Sequence, residues 1–244
     1  IKHQKGAADA KRGVLFTKLS RDLTLAVRDG GGGDPDMNFR LRLVMDKAKA
    51  ANMPSDSITR AIKRGSGEGG DGSETLEEII YEGYGPGGVA LLVQAATDNR
   101  NRTVAEIRKI FERAGGHLSA LNSVAWMFKQ AGHFVIDACT IDEDDLLLVA
   151  LDAGAADVGA DDGMYEVTTT TTKFAGVREA FDNNGIKCEQ AELAMLPASY
   201  IKLQGSEAKK CLKLMESLED HDDVQGVYTN ADIDPEEFTE AATG

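Results

Sequence analysis

Hydrophobic positions recur every three to four residues in the first quarter of this chain and every two in much of the remainder, and the change of period divides its architecture. Over residues 11–29, Leu15, Phe16, Leu19, Leu23, Ala26 and Val27 share one broad face, which predicts an amphipathic helix. Lys11, Lys18, Arg21 and Arg28 gather on another face. Four glycines followed by Asp34 and Pro35 cannot continue the helix cheaply and end it. A second helix is expected over about residues 38–52, with Leu41, Val44, Ala48 and Ala51 inward and Arg40, Lys47 and Lys49 outward. Pro54 is placed to open a third, carrying Ile58, Ala61 and Ile62 on one side and Arg60, Lys63 and Arg64 around it. Five glycines within residues 65–73 read as a linker.

Beyond it, β-rich runs at residues 78–82 and 89–97 meet across Gly83, Gly85, Pro86, Gly87 and Gly88, a cluster suited to a sharp reversal. A helix over residues 102–114 follows, then Gly115-Gly116 and a strand at 123–128, in which Trp126 alternates with Val124 and Phe128 as core or half-buried surface. From residue 134 the order is strand 134–138, helix 143–153, strands 156–158 and 164–169, helix 174–183 and strand 187–195. That β-α-β-β-α-β order is the ferredoxin-like, split βαβ arrangement. A last helix over 206–218 and a strand over 224–229 complete the sheet begun at residue 76. The expected fold class is therefore α+β. An N-terminal three-helix bundle spans 1–72, and a discontinuous α/β domain II takes 73–132 plus 197–244. A ferredoxin-like α/β domain III, 133–196, is inserted in it. The acidic residues 232–244 are expected to be loosely ordered at their end.

Charge sharpens this division. The formal net charge is −14. Residues 1–64 nevertheless carry seven Lys and seven Arg against seven Asp and no Glu, a net +7, while the remaining 180 residues hold 13 basic and 34 acidic side chains, a net −21. A basic head on an acidic body points to a polyanionic partner confined to the head, because phosphate binding follows the local patch rather than the total. The competing reading is an ordinary solvated helix face, and the lack of Glu in 64 residues argues against it. No 18-residue apolar run and no signal peptide are present, so a soluble, cytoplasmic protein without a membrane partner is expected. Cys139, Cys188 and Cys211 are widely spaced and read as reduced thiols.

Catalytic chemistry is thinly represented. Gly83-x-Gly85-x-x-Gly88 matches the dinucleotide fingerprint, but a strand follows where a helix N-terminus is required, so a hairpin turn is favoured. His117 lacks a second His or Cys at metal spacing and reads as a loop residue. Asp220, Asp222 and Asp223 lack the glycine and terminal glutamate of an EF-hand and read as a solvated acidic turn. No Ser elbow, Walker loop or zincin motif appears, so no enzyme, cofactor or metal is expected. The candidate nucleic-acid contacts are Lys2, Lys5, Lys11, Arg12, Lys18, Arg21, Arg28, Arg40, Lys47 and Lys49 in the head. Arg100 and Arg102 join them from the polar junction at residues 98–102, with Tyr81 and Tyr84 as stacking rings. At that junction Asp98 can equally pair with Arg100 or Arg102 while the asparagines cap the helix, and both readings stand.

Several runs together resemble the YebC/PmpR family, which includes the mitochondrial translational activator of cytochrome c oxidase. They are residues 5–13 (Lys-Gly-Ala-Ala-Asp-Ala-Lys-Arg-Gly), 30–35, 46–54, 81–88 (Tyr-Glu-Gly-Tyr-Gly-Pro-Gly-Gly), 97–106, 115–116, 123–128 (Ser-Val-Ala-Trp-Met-Phe) and 218–225. The resemblance spans nearly the whole chain in one order. It implies a short leader containing His, Ser, Lys and Trp ahead of Ile1. It also implies either a DNA-binding transcriptional regulator or a translation factor on the ribosome, with peptide-bond formation at proline-rich stretches as one target. The partners expected are thus DNA and/or ribosomal or transfer RNA, and the ribosome. The glycine-rich connection at 30–35 suits a helix-turn-helix poorly, which leans toward RNA or weak duplex binding. A protein adaptor working through its acidic domains is the alternative from another class.

Overall fold

The computed structural model describes residues 2–68, 76–161 and 163–234, with residues 2–11 as backbone only. Residues 69–73 of the expected linker, residues 235–244 of the acidic end, and the side chains of Lys2, Lys5 and Lys11 lie outside the described residues. The chain divides into two compact units, Ile1–Trp126 with Ser199–Gly244, and Met127–Ala198.

Three helices open the first unit: α1 (Lys2–Gly30), α2 (Phe39–Ala50) and α3 (Ser55–Gly65). Their common core is Leu19, Leu23, Ala26, Val27, Leu41, Ala48, Met53, Ile58 and Ala61, the residues that the helical period places inward together with Met53 from the α2–α3 turn. Asn38 fastens the corner between α1 and α2. Its side-chain oxygen accepts from the Leu41 N–H, and its amide donates to the carbonyls of Ala26 and Gly32, both at 2.7 Å. Gly65 closes α3 and is a packing residue rather than the start of a linker. A Cβ there would lie 2.6 Å from the Thr24 carbonyl oxygen and 2.7 Å from the Val27 Cβ.

The rest of this unit is an antiparallel sheet of β1 (Glu77–Tyr84), β2 (Ala90–Thr97), β3 (His117–Leu118) and β9 (Val224–Thr229), in the order β3-β1-β2-β9. The glycine cluster turns β1 into β2 as expected, with Gly87 and Gly88 at φ 70° and 75°. Helices α4 (Arg100–Arg113) and α7 (Gly205–Glu219) contribute Ile107, Phe111, Ala208, Cys211, Leu214 and Leu218 to a core shared with Tyr81, Leu91, Val93 and Ala95. Strand β2 is buried along nearly its whole length, and at its end Ala96 joins Leu25 of α1 and Leu76 in a second small core. Head and sheet lie within one compact unit. A short parallel pair, β8 (Ile201–Leu203) with β10 (Ala231–Ile233), completes the unit.

The strand expected at 123–128 does not form. The edge position beside β1 is taken by β3, and Ala125–Met127 makes a single helical turn that leaves Trp126 74 % exposed. The reason is the buried Glu82, whose carboxylate accepts the backbone N–H groups of Asn122, Val124 and Ala125 that a strand would have offered a neighbour.

The second unit is ferredoxin-like in order: β4 (Phe128–Asp137), α5 (Glu143–Asp152), β5 (Asp157–Asp161), β6 (Met164–Thr169), α6 (Phe174–Asn183) and β7 (Gln190–Pro197). Its sheet runs β5-β6-β4-β7, antiparallel throughout. Phe134 packs on Phe174 and Phe181 with ring centroids 4.7 and 5.2 Å apart. Its boundaries are 127 and 198, where 133 and 196 were expected, because β4 begins six residues earlier than the periodicity suggested and β7 pairs with it as far as Pro197.

Candidate nucleic-acid interface

Asp223 lies in the turn between α7 and β9 and is 2 % exposed, so the solvated acidic turn expected at 220–223 is corrected at this residue. The Arg21 guanidinium of α1 reaches one carboxylate oxygen at 2.6 Å and also donates to the Asp222 carbonyl. The other oxygen accepts from Thr103 Oγ1 at 2.6 Å and from Arg102 at 3.0 Å, with the Thr97 hydroxyl at 3.3 Å. Burial alone would push this acid up, but hydrogen bonds from Thr103, Arg102 and Arg21 hold it down at about 2. Lys18, one turn before Arg21, donates to the Glu219 carbonyl, and burial lowers its pKa against the opposing pull of Glu219, Asp220, Asp222 and Asp22. Arg28 is engaged by Asp29 and the Leu76 carbonyl. One edge of the basic face of α1 therefore joins head to sheet.

A cavity of about 480 Å³ beside this junction is lined by Arg21, Asp98, Arg102, Glu106, Asp220, His221, Asp222 and Asp223. His221 Nδ1 accepts the Asp223 N–H, which assigns the ring proton to Nε2, 2.9 Å from Glu106 Oε2. Glu106, His221 and Asp223 bring their ligand atoms within 4.8 Å of one another, as a cation site would. Two of the three residues already serve protein partners, however. Both Asp223 oxygens accept from guanidinium groups, and the His221 nitrogens are both in hydrogen bonds.

A different chemistry lines the groove of about 400 Å³ between α1 and α3. Arg21, Arg60 and Arg64 are there with the hydroxyl-bearing Thr17, Ser20 and Ser57, together with Phe16 and Met53, and among the described residues no carboxylate lines it. Ser57, Arg60 and Arg64 follow one another at three- and four-residue steps on α3, so one face of the helix presents them. The Arg60 guanidinium is held by the Ser57 hydroxyl and the Asp56 carbonyl, both at 3.2 Å. Guanidinium forks and hydroxyls are the donor set that phosphate oxygens accept from. The connection from α2 to α3 is short, residues 51–54, with Asn52 at φ 57°, so the tight turn missing at 30–35 is found one helix later.

The residues singled out from the sequence are thus dispersed. Arg21 and Arg102 meet at Asp223, and among the described candidate cations Arg21 alone also lines the α1–α3 groove. Arg12, Arg40, Lys47 and Lys49 are exposed on α1 and α2, with Arg40 paired to Glu78. Arg100 is exposed at the start of α4, whereas Asp98 pairs with Arg102 and Asn99 caps the helix, as the local reading had it. Tyr81 is a core residue and cannot stack on a base, because its ring packs inside the sheet–helix core. Tyr84 is half-buried, 5.7 Å from the His117 ring. Arg60 and Arg64 were absent from the candidates, and their spacing with Ser57 is the signal that finds them. Burial pushes the thiols of Cys188 and Cys211 up to about 11, away from the thiolate form. Among the described residues no helix is long and apolar enough to cross a membrane.

Comparison with known proteins covers nearly the whole chain. A family model described as the TACO1/YebC protein N-terminal domain matches residues 1–68, and one described as the TACO1/YebC second and third domain matches residues 76–231. The chain is 50 % identical over 237 residues to the "Probable transcriptional regulatory protein TTE1135" of Caldanaerobacter subterraneus subsp. tengcongensis, covering 97 % of this chain and 96 % of that protein. It is 52 % identical over 238 residues to "Probable transcriptional regulatory protein GSU1074" of Geobacter sulfurreducens, covering 98 % and 95 %. The crystal structure of a conserved hypothetical protein, Aq1575 from Aquifex aeolicus, superposes with a TM-score of 0.83 at 42 % identity over 93 % of this chain and 92 % of that one.

Proposed function

The chain belongs to the TACO1/YebC family, and from that premise we propose that it is a nucleic-acid-binding regulatory protein whose head grips phosphates in the α1–α3 groove. The observation that carries this reading is the groove's lining of three guanidinium groups and three hydroxyls without a carboxylate among the described residues, on a protein whose net charge is −14. The regulatory role comes from the names of the relatives, which are called probable transcriptional regulatory proteins. The residues that do the work are Arg60, Arg64 and the free edge of Arg21, with Arg12, Lys47 and Lys49 adding long-range attraction. No catalytic step belongs to this function. The raised thiols of Cys188 and Cys211 and the committed lone pairs around Asp223 support a binding protein.

A second reading, a translation factor that recognises structured ribosomal or transfer RNA in the cytoplasm, is favoured by one feature of the same groove. Its lining offers guanidinium and hydroxyl donors but, among the described residues, no Asn or Gln of the kind that reads adenine edges, which suits recognition of backbone and shape. The deciding experiment is fluorescence anisotropy with a labelled duplex DNA and a labelled structured RNA over a salt series, using wild type and Arg60→Glu/Arg64→Glu. Binding of either probe that is lost in the variant supports the groove, and the tighter probe identifies the target class. Unchanged binding of both in the variant would overturn it.

A further inference from the structure

Trp126 is the single tryptophan of the chain and is 74 % exposed, yet it is held in place more firmly than a surface residue needs. The segment that carries it is built around a buried carboxylate. Glu82, 4 % exposed on β1, accepts the N–H of Asn122 at 2.6 Å and those of Val124 and Ala125 at 2.8 Å. Asn122 takes a left-handed conformation, φ 65°, to complete the turn. Burying a charged side chain to pin a loop is costly unless every lone pair is used. Here the loop's own N–H groups use them, and despite burial they leave the Glu82 pKa below its ordinary value.

The Ser123 carbonyl inside this loop accepts twice, from the Trp126 indole N–H at 3.0 Å and from the Tyr84 hydroxyl at 3.4 Å. Tyr84 in turn lies against the His117 ring. Two aromatic side chains are therefore tethered by their polar edges to one backbone atom. The indole has no N–H left to offer a partner, so its flat face is the part it presents. A rigid ring face fits a flat, polarisable partner.

Electrostatics selects among flat partners. Acidic residues make up about one in five of the 180 residues after Arg64, but residues 113–126 contain none. The segment carrying Trp126 thus brings no exposed carboxylate of its own against an approaching phosphate. We propose that the Glu82-pinned loop is a stacking platform for unpaired nucleobases, with Trp126 as the principal ring and Tyr84 and His117 beside it. It rests on the nucleic-acid reading above and adds to it a contact with single-stranded segments, separate from the phosphate groove of the head.

The indole is its own reporter, because no other tryptophan contributes to the emission. Short oligoadenylate, oligouridylate and a blunt duplex of the same length are titrated into the full chain while tryptophan fluorescence is followed. In parallel, anisotropy of labelled oligoadenylate is measured for wild type, Trp126→Phe, Trp126→Ala and Arg60→Glu/Arg64→Glu. Saturable quenching by the single strands, stronger with adenine and weak with the duplex, is expected. Trp126→Ala should bind the single strand about tenfold more weakly and Trp126→Phe should retain most of the affinity, because stacking needs a ring rather than an indole. Circular dichroism of Trp126→Ala, an exposed site, checks that the fold is kept. Persistent quenching in the Arg60/Arg64 variant with duplex binding lost would uphold the platform while confining the failure to the head. Duplex binding intact with no quenching by any single strand, or equal affinity in Trp126→Ala, would overturn the platform and leave the groove standing.

Discussion

Arg21 and Asp223, 202 residues apart in sequence, meet at 2.6 Å with the carboxylate almost wholly buried, and this pair fastens the basic head to the acidic body. Arg21 also lines the groove assigned to phosphate. The same guanidinium thus belongs both to the joint and to the binding surface.

Replacing Asp223 with Asn removes the charge that Arg21, Arg102 and Thr103 converge on. The expected cost is about 3 kcal/mol, since two guanidinium groups lose a buried partner. The measurement is the denaturant midpoint of unfolding. The wild-type pH profile carries the same information. The folded pKa of about 2 lies below the ordinary 3.8, so this group's contribution is fully present above about pH 4 and is lost as pH falls toward 2. The variant should lack that part of the acid limb.

Asp22 behaves in the opposite sense. Burial raises its pKa from 3.8 to about 6, against the pull of Lys47 and Arg40. An acid whose folded pKa is raised binds more protons when folded, so stability falls as pH rises from about 4 through 6 and stays lowered above that. Asp22→Asn is expected to stabilise the protein at pH 7 by about 2 kcal/mol, with the gain fading as pH falls from about 6 and gone below about pH 4. Thermal melts of both proteins across that window check it.

Gly65→Ala places a methyl group 2.6 Å from the Thr24 carbonyl oxygen, which is backbone and cannot rotate away. The better helix propensity of Ala is worth at most about 1 kcal/mol, and the forced separation of α3 from α1 costs about 1–3 kcal/mol. A net loss in unfolding midpoint is expected. Because α1 and α3 form the groove walls, nucleic-acid affinity should fall with it.

Charge reversal at Arg60 and Arg64 should weaken binding to duplex and reduce the slope of its log affinity against log salt by about 2, while single strands still quench Trp126. Stability should hold, since both residues are exposed. Reversing Lys18, Arg21 and Arg28 together is a poorer probe, because Lys18 and Arg21 hold the head to the turn at 219–223 and Arg28 donates to the Leu76 carbonyl. That triple variant is expected to lose stability as well as binding, as calorimetry would register.

Local pattern was sufficient wherever the partners of a residue were its neighbours in sequence. Strand β6 and helix α6 fall at the residues the periodicity marked, and the Gly87–Gly88 turn and the Asn99 cap follow from steric and hydrogen-bonding needs within a few residues. Trp126 was misplaced because the alternation of Val124, Trp126 and Phe128 imitates a strand, while Glu82, forty residues earlier, takes the N–H groups that pairing requires. Leu25 lay off the predicted packing face because that face was drawn for a free-standing bundle, and the sheet supplies a second surface to cover it.

The amino-acid sequence by itself determined the order of the helices and of the longer strands, the insertion of one α/β segment within another, and the concentration of positive charge in the first 64 residues. These follow from side-chain period, turn chemistry and counting. Which of those charges meet solvent was decided only by the tertiary structure. Arg21 and Arg60 look alike along a helix, but one lies beside Asp223 and the other does not. Coulomb and hydrogen-bond partners act through distance in space, and a separation of 202 residues leaves no trace in a local pattern.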